Sequence, residues 1–438
     1  MNLGNIEYQI FRPKRIIEII IIFYSIFFSS DANAQFVKSE SAIPKDSLIT
    51  YEQLDIKDVL KELFEIRHHA ALPIEDTAIV ILPLSVLPKK SEVLKSGKVL
   101  VAVFPAVGYA LQTGTTAVIA TNLSFLRGKS DSTNLSTISI NPIKSLDHNQ
   151  FLLNIISNVW SNKNKFVFLG DWRAYKYPTY TYGLGGHTAI DNANLINYSY
   201  IRVYQEALKK IGSSKFYSGL GYNLDYHFDI KEEGSGTNFQ EYNANARTTV
   251  SSGLSLNFLY DSRKNSNYGN EASVFNFSYR YNSKYMGSNQ NWQSVYLEFK
   301  KYIKLSKKSD NVLAFWNLNW FTFGGNPPYF DLPSTGWDVN SNSGRGYIQG
   351  RLRGPAFLYF ESEYRFRLTK NGLLGGVVFA NAESVSELGS VRFEKILPAA
   401  GFGFRVKLNK ISGVRLAVDY GFGENGSQGF FFNVSEVF

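Results

Sequence analysis

Long runs in which apolar and polar residues alternate fill the chain from Val101 to Phe438. In one run every second residue is apolar except a single serine: Phe216, Ser218, Leu220, Tyr222, Leu224, Tyr226 and Phe228. A second run has the same pattern at Ala356, Leu358, Phe360, Ser362, Tyr364, Phe366 and Leu368. Because successive residues of a β-strand point to opposite faces, each run predicts a strand with one apolar and one polar side.

The runs are often about ten to fifteen residues long, whereas strands of globular proteins usually have about five or six. Their apolar sides are rich in aromatic residues, which make up 15% of the chain. A soluble sandwich would turn those sides toward a core, but aromatic residues near the ends of long strands are typical of outer-membrane barrels. The sequence therefore predicts an all-β protein, an antiparallel transmembrane β-barrel.

Counting the runs predicts sixteen strands over residues 101–438, an even number as expected of a bacterial barrel. The long connections all belong to one of the two alternating sets along the chain: 176–195, 230–244, 324–353 and 383–396. The alternate connections are mostly short: 210–213, 305–310, 370–371 and 410–411, with 261–271 as a longer exception. Long extracellular loops and short periplasmic turns are the usual asymmetry, so the first strand is predicted to run outward.

Residues 1–34 have the features of a signal peptide for export. Basic residues precede an almost wholly apolar stretch over 16–28, and Ala32-Asn33-Ala34 fits the small-x-small cleavage rule. An uncleaved membrane anchor is the alternative interpretation. Cleavage would place the mature chain outside the cytoplasm.

Residues 35–100 are predicted to form a short periplasmic segment with one amphipathic helix. Apolar residues recur at helical spacing between Ile56 and Phe64, and Asp55 is placed to cap the helix start. The adjacent pair His68-His69 would point about 100° apart on a helix, which favours a solvated helix end over a metal site.

The composition excludes several classes of chemistry. The chain has no cysteine and five histidines, so thiolate metal sites and thiol nucleophiles are absent and imidazole chemistry is limited. The net charge is +9, but no run or helix concentrates it, which argues against a nucleic-acid partner. We predict neither a cofactor nor a metal ion.

The longest predicted loop contains the stretch SGRGYIQGR, Ser343 to Arg351. Its Arg345-Gly346-Tyr347 motif, before the twelfth strand, resembles the barrel domain of the BamA/TamA superfamily (bacterial surface antigen type). Members carry an Arg-Gly-Tyr/Phe motif on a loop that folds back into the lumen. The resemblance implies that Arg345 pairs with an inward carboxylate, here Glu363 in ESEYRFRL. The alternative is that the glycines form a mobile exposed turn.

Arginine suits this position because guanidinium cannot deprotonate and offers a planar fork to a carboxylate. In the family an aspartate on the following strand is a second acceptor. Asn381, in the stretch FANAES, stands there in this chain. An asparagine can accept only through its neutral carbonyl. We therefore expect the contacts that would hold Arg345 in the lumen, here called the Arg345 lock, to be weaker or rearranged.

Three further segments resemble the same family. Asp261 and Arg263 match its Asp-x-Arg turn, and 104–114 resembles its opening strand. Phe438 ends the chain as the C-terminal signal that directs barrels to the assembly machinery. The resemblance covers about residues 101–438. It implies location in the bacterial outer membrane, contact with outer-membrane lipid, and insertion by the barrel assembly machinery.

Superfamily members carry polypeptide-transport-associated (POTRA) domains before the barrel, and residues 35–100 lack their mixed helix–sheet pattern. We therefore expect a barrel that lacks POTRA domains. The leading function is a non-enzymatic role in outer-membrane protein assembly or translocation, in which partners would bind through 35–100 or the surface loops. A closed structural or docking subunit and a small-solute pore are the alternatives.

No catalytic motif contradicts the prediction that the protein is not an enzyme. The chain lacks Gly-x-Ser-x-Gly and His-Glu-x-x-His. The stretch GLGGH, 183–187, is glycine-rich but falls in a predicted extracellular loop. His227, between Asp225 and Asp229, could suggest a hydrolytic dyad, but a polar lumen lining explains these residues better.

Overall fold

The computed structural model describes most of the region predicted to form the barrel and a short piece before it. The described residues are 54–56, 58–59, 99–110, 114–129, 132–233, 247–263, 269, 271–306, 310–390, 392–409 and 413–438. The signal peptide over 1–34, His68-His69 and most of the segment 35–100 lie outside them. Among the described residues, no helix has the length and apolar character needed to cross a bilayer.

In the part of the chain that the structure describes, seventeen strands make up one antiparallel sheet. They are β1 Val99–Ala110, β2 Gly114–Phe125, β3 Ser136–Ser145, β4 Phe151–Trp160, β5 Phe166–Lys176, β6 Thr179–Thr181, β7 Asn194–Lys210, β8 Phe216–Glu232, β9 Thr249–Asp261, β10 Ala272–Asn282, β11 Trp292–Lys304, β12 Val312–Phe323, β13 Ala356–Arg367, β14 Leu374–Val385, β15 Leu397–Lys407, β16 Arg415–Gly423 and β17 Gln428–Val434.

Each strand pairs with the next along the chain, except that β5 and β6 both pair with β7. The three-residue β6 continues β5 beyond Tyr177-Pro178, where proline has no N–H for the ladder. The wall therefore has sixteen strand positions, and the all-β antiparallel prediction is confirmed. β17 lies beside β1.

The alternation in the sequence becomes an inside–outside alternation in the wall. On β8 the apolar Phe216, Leu220 and Tyr222 are exposed, while Tyr217, Asn223 and Asp225 are buried. The same arrangement, with apolar side chains outside and polar ones inside, is the reverse of that in a soluble protein and holds around the sheet. The exposed apolar side chains include Val101, Ile119, Phe168, Trp172, Ile201, Leu254, Phe258, Phe360, Phe402, Phe404, Phe430 and Phe432. The polar side chains of the other face are buried inside, as in a transmembrane barrel.

The connections differ in length at the two ends of the barrel. At one end, here called the long-loop end, lie 182–193, 233–248, 324–355 and 386–396. At the other, the short-turn end, lie connections such as 161–165, 211–215 and 408–414. The asymmetry matches the sequence prediction, although the turn 126–135 is longer than expected.

The start of the predicted N-terminal helix is present. Asp55 and Asp58 cap it reciprocally: the Asp58 N–H donates to Asp55 Oδ1 at 3.2 Å, and the Asp55 N–H to Asp58 Oδ2 at 2.9 Å. Leu54 N donates to the Asn371 carbonyl at 3.2 Å, so this turn of helix contacts the short-turn end between β13 and β14.

The last strand is shorter than the sequence predicts. The run pattern places the sixteenth strand at 428–438, but β17 ends at Val434 and Ser435 has a φ of +89°. The final residues turn into the lumen, where Glu436, Val437 and Phe438 are buried. The alternation of Phe430, Phe432 and Val434 breaks at Glu436, so the sequence itself contains a sign of the strand end.

Candidate functional site

The connection between β12 and β13, residues 324–355, folds back into the barrel lumen. Residues 327–338 and 342–347 are all buried. Gly346 has a φ of +114°, and a Cβ there would stand 2.7 Å from the Ala399 Cβ and 3.1 Å from the Phe422 carbonyl oxygen. Only glycine therefore lets the loop backbone lie directly against β15 and β16. We call this connection the lumen loop.

Arg345, at the tip of this contact, is fully buried and meets three carboxylates. Its guanidinium donates to Glu361 Oε1 and Asp419 Oδ2, each at 2.5 Å, and also to Glu363. The Phe379 ring lies under the guanidinium at 3.7 Å from its centroid. The mobile-turn alternative does not describe this arrangement, because Arg345 is fully buried and both of its terminal nitrogens donate to carboxylates.

Asn381 has a different role from the one that the resemblance implied. Its Nδ2 donates to the backbone carbonyl of Arg345 at 2.9 Å, so it holds the loop backbone and does not accept from the guanidinium. The additional carboxylates come instead from Glu361, two residues before Glu363 on the same strand face, and from Asp419 on β16. The lock is rearranged around three anions.

The sequence contained a signal for both missed acceptors. Glu361 and Asp419 occupy the polar face of their alternating runs, so their inward direction was predictable. What the sequence did not show was that β16 comes close to the loop. Gly403 opposes Asp419 across the ladder, and a Cβ there would stand 1.8 Å from Asp419 Oδ1.

The lock extends into a network that reaches the C-terminal tail. Arg365 Nε donates to Glu363 at 2.5 Å, and Arg405 Nη1 donates to Asp419 at 2.5 Å. Glu436 accepts from Arg405 Nε at 2.8 Å and from Arg415 Nη1 at 2.7 Å. The four arginines and four carboxylates of this network balance in charge: Arg345, Arg365, Arg405, Arg415, Glu361, Glu363, Asp419 and Glu436.

The charges of the network favour the ionised forms of Arg345 and Glu436, the two members that lie outside the strands. Burial opposes the charged form of Arg345, but Glu361, Glu363 and Asp419 raise its pKa well above the usual value. Burial alone would likewise raise the pKa of Glu436. The positive charges of Arg405, Arg365 and Arg415 hold that pKa well below the usual range of a glutamate instead.

Phe438 packs inside the barrel at its short-turn end. Its ring centroid lies 5.3 Å from that of Trp316 and 6.3 Å from that of Tyr302, and the Arg365 guanidinium lies 4.8 Å from it. Other inward side chains from this end of the strands join the same apolar cluster: Trp160, Tyr217, Leu259, Val274 and Val312. In the folded chain the predicted assembly signal is therefore enclosed.

The opposite wall also holds the lumen loop. Arg173 on β5 donates to the carbonyls of Asp338 and Val339 at 3.1 and 2.9 Å. The Tyr177 hydroxyl donates to Gln349 Oε1 at 2.7 Å. On the side of β15 and β16, the Tyr347 hydroxyl donates to the Pro398 carbonyl at 2.5 Å and accepts from the Glu424 N–H at 2.9 Å. The loop is thus attached across the lumen.

The remaining motif residues have local partners. Asp261 accepts the Arg263 N–H at 2.9 Å and its Nη2 at 2.8 Å, so the Asp-x-Arg motif closes on itself in the turn after β9. Asn134 Nδ2 donates to the Arg263 carbonyl at 3.3 Å, which links this turn to the one between β2 and β3.

Neither of the aspartates near His227 in the sequence, Asp225 and Asp229, forms an ion pair with it among the described contacts. Asp225 is engaged by Arg280 at 2.7 Å and Arg202 at 3.1 Å, and Asp229 is exposed. The His227 ring stacks on Tyr200 with centroids 4.3 Å apart. Ser251 donates its hydroxyl to Asp331 Oδ2 at 2.5 Å. His227 Nδ1 lies 3.7 Å from the other oxygen of that carboxylate and 3.4 Å from the Thr249 hydroxyl.

Comparison with solved structures identifies the fold. No protein-family model matches the sequence, and a search of curated proteins finds no relative. The chain is similar to CdiB from Escherichia coli, with a TM-score of 0.50 and 11% identity over 87% of this chain and 70% of that one. It also matches BamA from Haemophilus ducreyi lacking POTRA domains 1-3, with a TM-score of 0.46 and 14% identity over 76% of this chain and 70% of that one. For CdiB from Acinetobacter baumannii the TM-score is 0.48, with 12% identity over 77% of this chain and 66% of that one.

Proposed function

Taking the fold as that of a BamA- and CdiB-like outer-membrane barrel, we propose that the protein acts in the bacterial outer membrane in the assembly or translocation of other proteins. Its exposed apolar belt fits a lipid environment, because lipid-facing side chains of such barrels are apolar and the interior is polar. Its activity is non-enzymatic and depends on a seam between the first and last strands.

The seam between β1 and β17 is the observation that carries this proposal. β1 has twelve residues, whereas β17 has seven and ends where Ser435 turns the chain inward. At most seven residues of β1 can therefore pair with β17. The backbone groups left at the edge of β1 have no water to bind in a bilayer core, and an added strand from a client would satisfy them.

Disulfide locking across the seam tests the mechanism. Val101→Cys or Val103→Cys is combined with Phe430→Cys or Phe432→Cys, all at outward-facing positions. The chain has no native cysteine, so any crosslink reports the seam alone. We expect oxidation to abolish insertion of an unfolded barrel protein into liposomes that contain this protein, and reduction to restore it.

A matched pair controls for oxidation itself. Phe402 and Tyr420 are register partners between β15 and β16, so Phe402→Cys with Tyr420→Cys crosslinks a ladder that stays closed in any mechanism. Oxidation of this control pair should leave insertion unchanged. If the locked seam also leaves insertion unchanged, lateral opening is excluded.

A closed docking subunit is the second candidate function. The contact of Leu54 with Asn371 supports it, because this contact brings the segment before the barrel to the short-turn end, where a periplasmic partner would bind. If seam-locked protein keeps its activity and a partner crosslinks to residues 54–59, this function replaces the first.

A further inference from the structure

Two loops at the long-loop end bring one imidazole and two carboxylates together. His187 belongs to the connection 182–193, and Glu387 and Glu394 belong to 386–396. One ligand atom from each of the three side chains lies within 4.8 Å of the others. About 200 residues of chain separate the two loops, so only the barrel places them side by side. We call these three residues the mouth triad.

The glycine-rich stretch GLGGH is shaped around Glu387. Gly186 N donates to Glu387 Oε1 at 2.8 Å. Gly185 has a φ of +96°, and a Cβ there would stand 2.0 Å from Glu387 Oε2. Glycine is thus required both by the backbone conformation and by the close approach of this carboxylate, which is held with one oxygen bonded to the loop.

The spacing of the other two ligands suits a transition metal. His187 Nε2 lies 3.4 Å from Glu394 Oε2. Two ligands about 2.1 Å from a Zn²⁺ ion at a tetrahedral angle lie about 3.4 Å apart. Both side chains are partly exposed, at 62% for His187 and 44% for Glu394, so water can complete the coordination and the glutamate can adjust its rotamer.

The neighbouring positive charge does not occupy the position of the ion. The Lys395 ammonium, on the same loop, lies 3.5 Å from Glu424 and is engaged there. An imidazole with two carboxylates favours Zn²⁺ and similar divalent metals, whereas Ca²⁺ and Mg²⁺ prefer an all-oxygen set.

We propose that the mouth triad, His187, Glu387 and Glu394, binds a divalent transition-metal ion of the Zn²⁺ type. The ion joins the two loops across the long-loop end of the barrel. The first loop is already bonded to the lumen loop, because Gly185 N donates to the Arg353 carbonyl at 2.9 Å. Metal binding therefore reinforces the cover over the Arg345 lock, independently of whether the seam opens.

Zinc titration of the full chain, purified in detergent without a polyhistidine tag, tests this proposal. We expect saturable binding of one Zn²⁺ and a Zn²⁺-dependent rise in the melting temperature, with no comparable effect of Mg²⁺ or Ca²⁺. Cobalt absorption gives a second readout without thiolate bands, because the chain has no cysteine. His187→Ala and Glu394→Gln should each weaken Zn²⁺ binding by about tenfold or more.

Matched histidine variants separate this site from adventitious binding. His148 is exposed in another connection at the same end, between β3 and β4. Neither His148→Ala nor the double variant His68→Ala/His69→Ala should change Zn²⁺ affinity. The proposal is overturned if wild type shows no saturable binding at millimolar zinc, or if His187→Ala binds as wild type does.

Discussion

At the scale of single residues, Arg345 is the centre of the candidate site. One guanidinium serves Glu361, Glu363 and Asp419, which no ammonium could do with the same planar set of donors. The three carboxylates are buried and depend on this charge, although Arg365 and Arg405 share two of them. Removing one partner of a buried ion pair leaves an uncompensated charge, which costs more than the pair itself contributes.

Arg345→Met should therefore lower the free energy of unfolding by about 3–5 kcal/mol. Adding Glu361→Gln should recover part of this loss, because it removes one of the stranded charges. Denaturant unfolding in detergent, followed by tryptophan fluorescence, measures both effects.

Arg351→Met is the control for this prediction. Arg351 is a buried arginine of the same loop, but its guanidinium binds the hydroxyl and carbonyl of Thr188 rather than a carboxylate. Arg351→Met should lower the free energy of unfolding by less than Arg345→Met does.

A charge swap of Arg345 with Glu363 should fail to restore stability, since Glu361 and Asp419 would then face a glutamate. Full recovery in that swap would show that Glu363 alone carries the lock.

At the scale of elements, the C-terminal tail distinguishes this barrel from one whose last strand simply ends. Residues 435–438 leave β17 and enter the lumen, where Glu436 joins Arg405 and Arg415 and Phe438 joins the apolar cluster. The tail thereby links the last strand to the network that holds the lumen loop. Opening the seam would have to leave this attachment intact or break it.

Glu436→Gln should lower stability by about 3 kcal/mol, because it removes the buried charge that Arg405 and Arg415 share. The matched control is Glu424→Gln, whose side chain pairs with Lys395 at 3.5 Å and is 37% exposed. That change should cost less than about 1 kcal/mol. Hydrogen exchange should quicken in β16 and β17 of the first variant and remain unchanged in the second.

The effect of Glu436 should depend on pH. Its folded-state pKa is lower than its unfolded value, so it contributes stability above the unfolded pKa of about 4.3 and loses this contribution as the pH falls further. Wild type and Glu436→Gln should begin to converge in stability below about pH 4 and should meet only as the pH falls through the lower folded-state pKa of Glu436. A difference that persists unchanged into acid would contradict the ionised role of Glu436.

At the scale of the whole molecule, the lumen loop is the main obstacle in the lumen among the described residues. It is buried toward the long-loop end, and the apolar cluster that includes Phe438 extends to Tyr347 and Leu352 of the loop. The buried loop opposes the use of the barrel as an open pore for small solutes. Transport through the lumen would require the lumen loop to lose its contacts with three carboxylates and with two wall strands at the same time.

Replacing residues 327–353 by a short Gly/Ser linker should produce conductance steps in planar bilayers, while wild type should stay closed. Shortening the exposed connection 284–290 to the same kind of linker is the control, because its Tyr285 points fully into solvent. If wild type conducts as well as the loop-replaced variant, the lumen loop is not the barrier and the pore function must be reconsidered.

The sequence by itself determined the strand positions, the direction of each side chain and the asymmetry of the connections. It could do so because alternation with period two depends only on neighbouring residues and on the contrast between lipid and lumen. The position of Arg345 in a long loop and its approach to Glu363 followed from a local motif. The helix cap at Asp55 was equally local and was predicted correctly.

Only the tertiary structure decided which distant charges meet. Asp419 reaches Arg345 because β13, β14, β15 and β16 pair in succession and the lumen loop lies against them, and no spacing in the chain encodes that distance. The inward turn at Ser435 depends on arginines contributed by three other strands, which pair with Glu436. The meeting of GLGGH with Glu387 and Glu394 likewise depends on two loops that the barrel places together, because contacts of high sequence separation are fixed by the packing of the whole sheet.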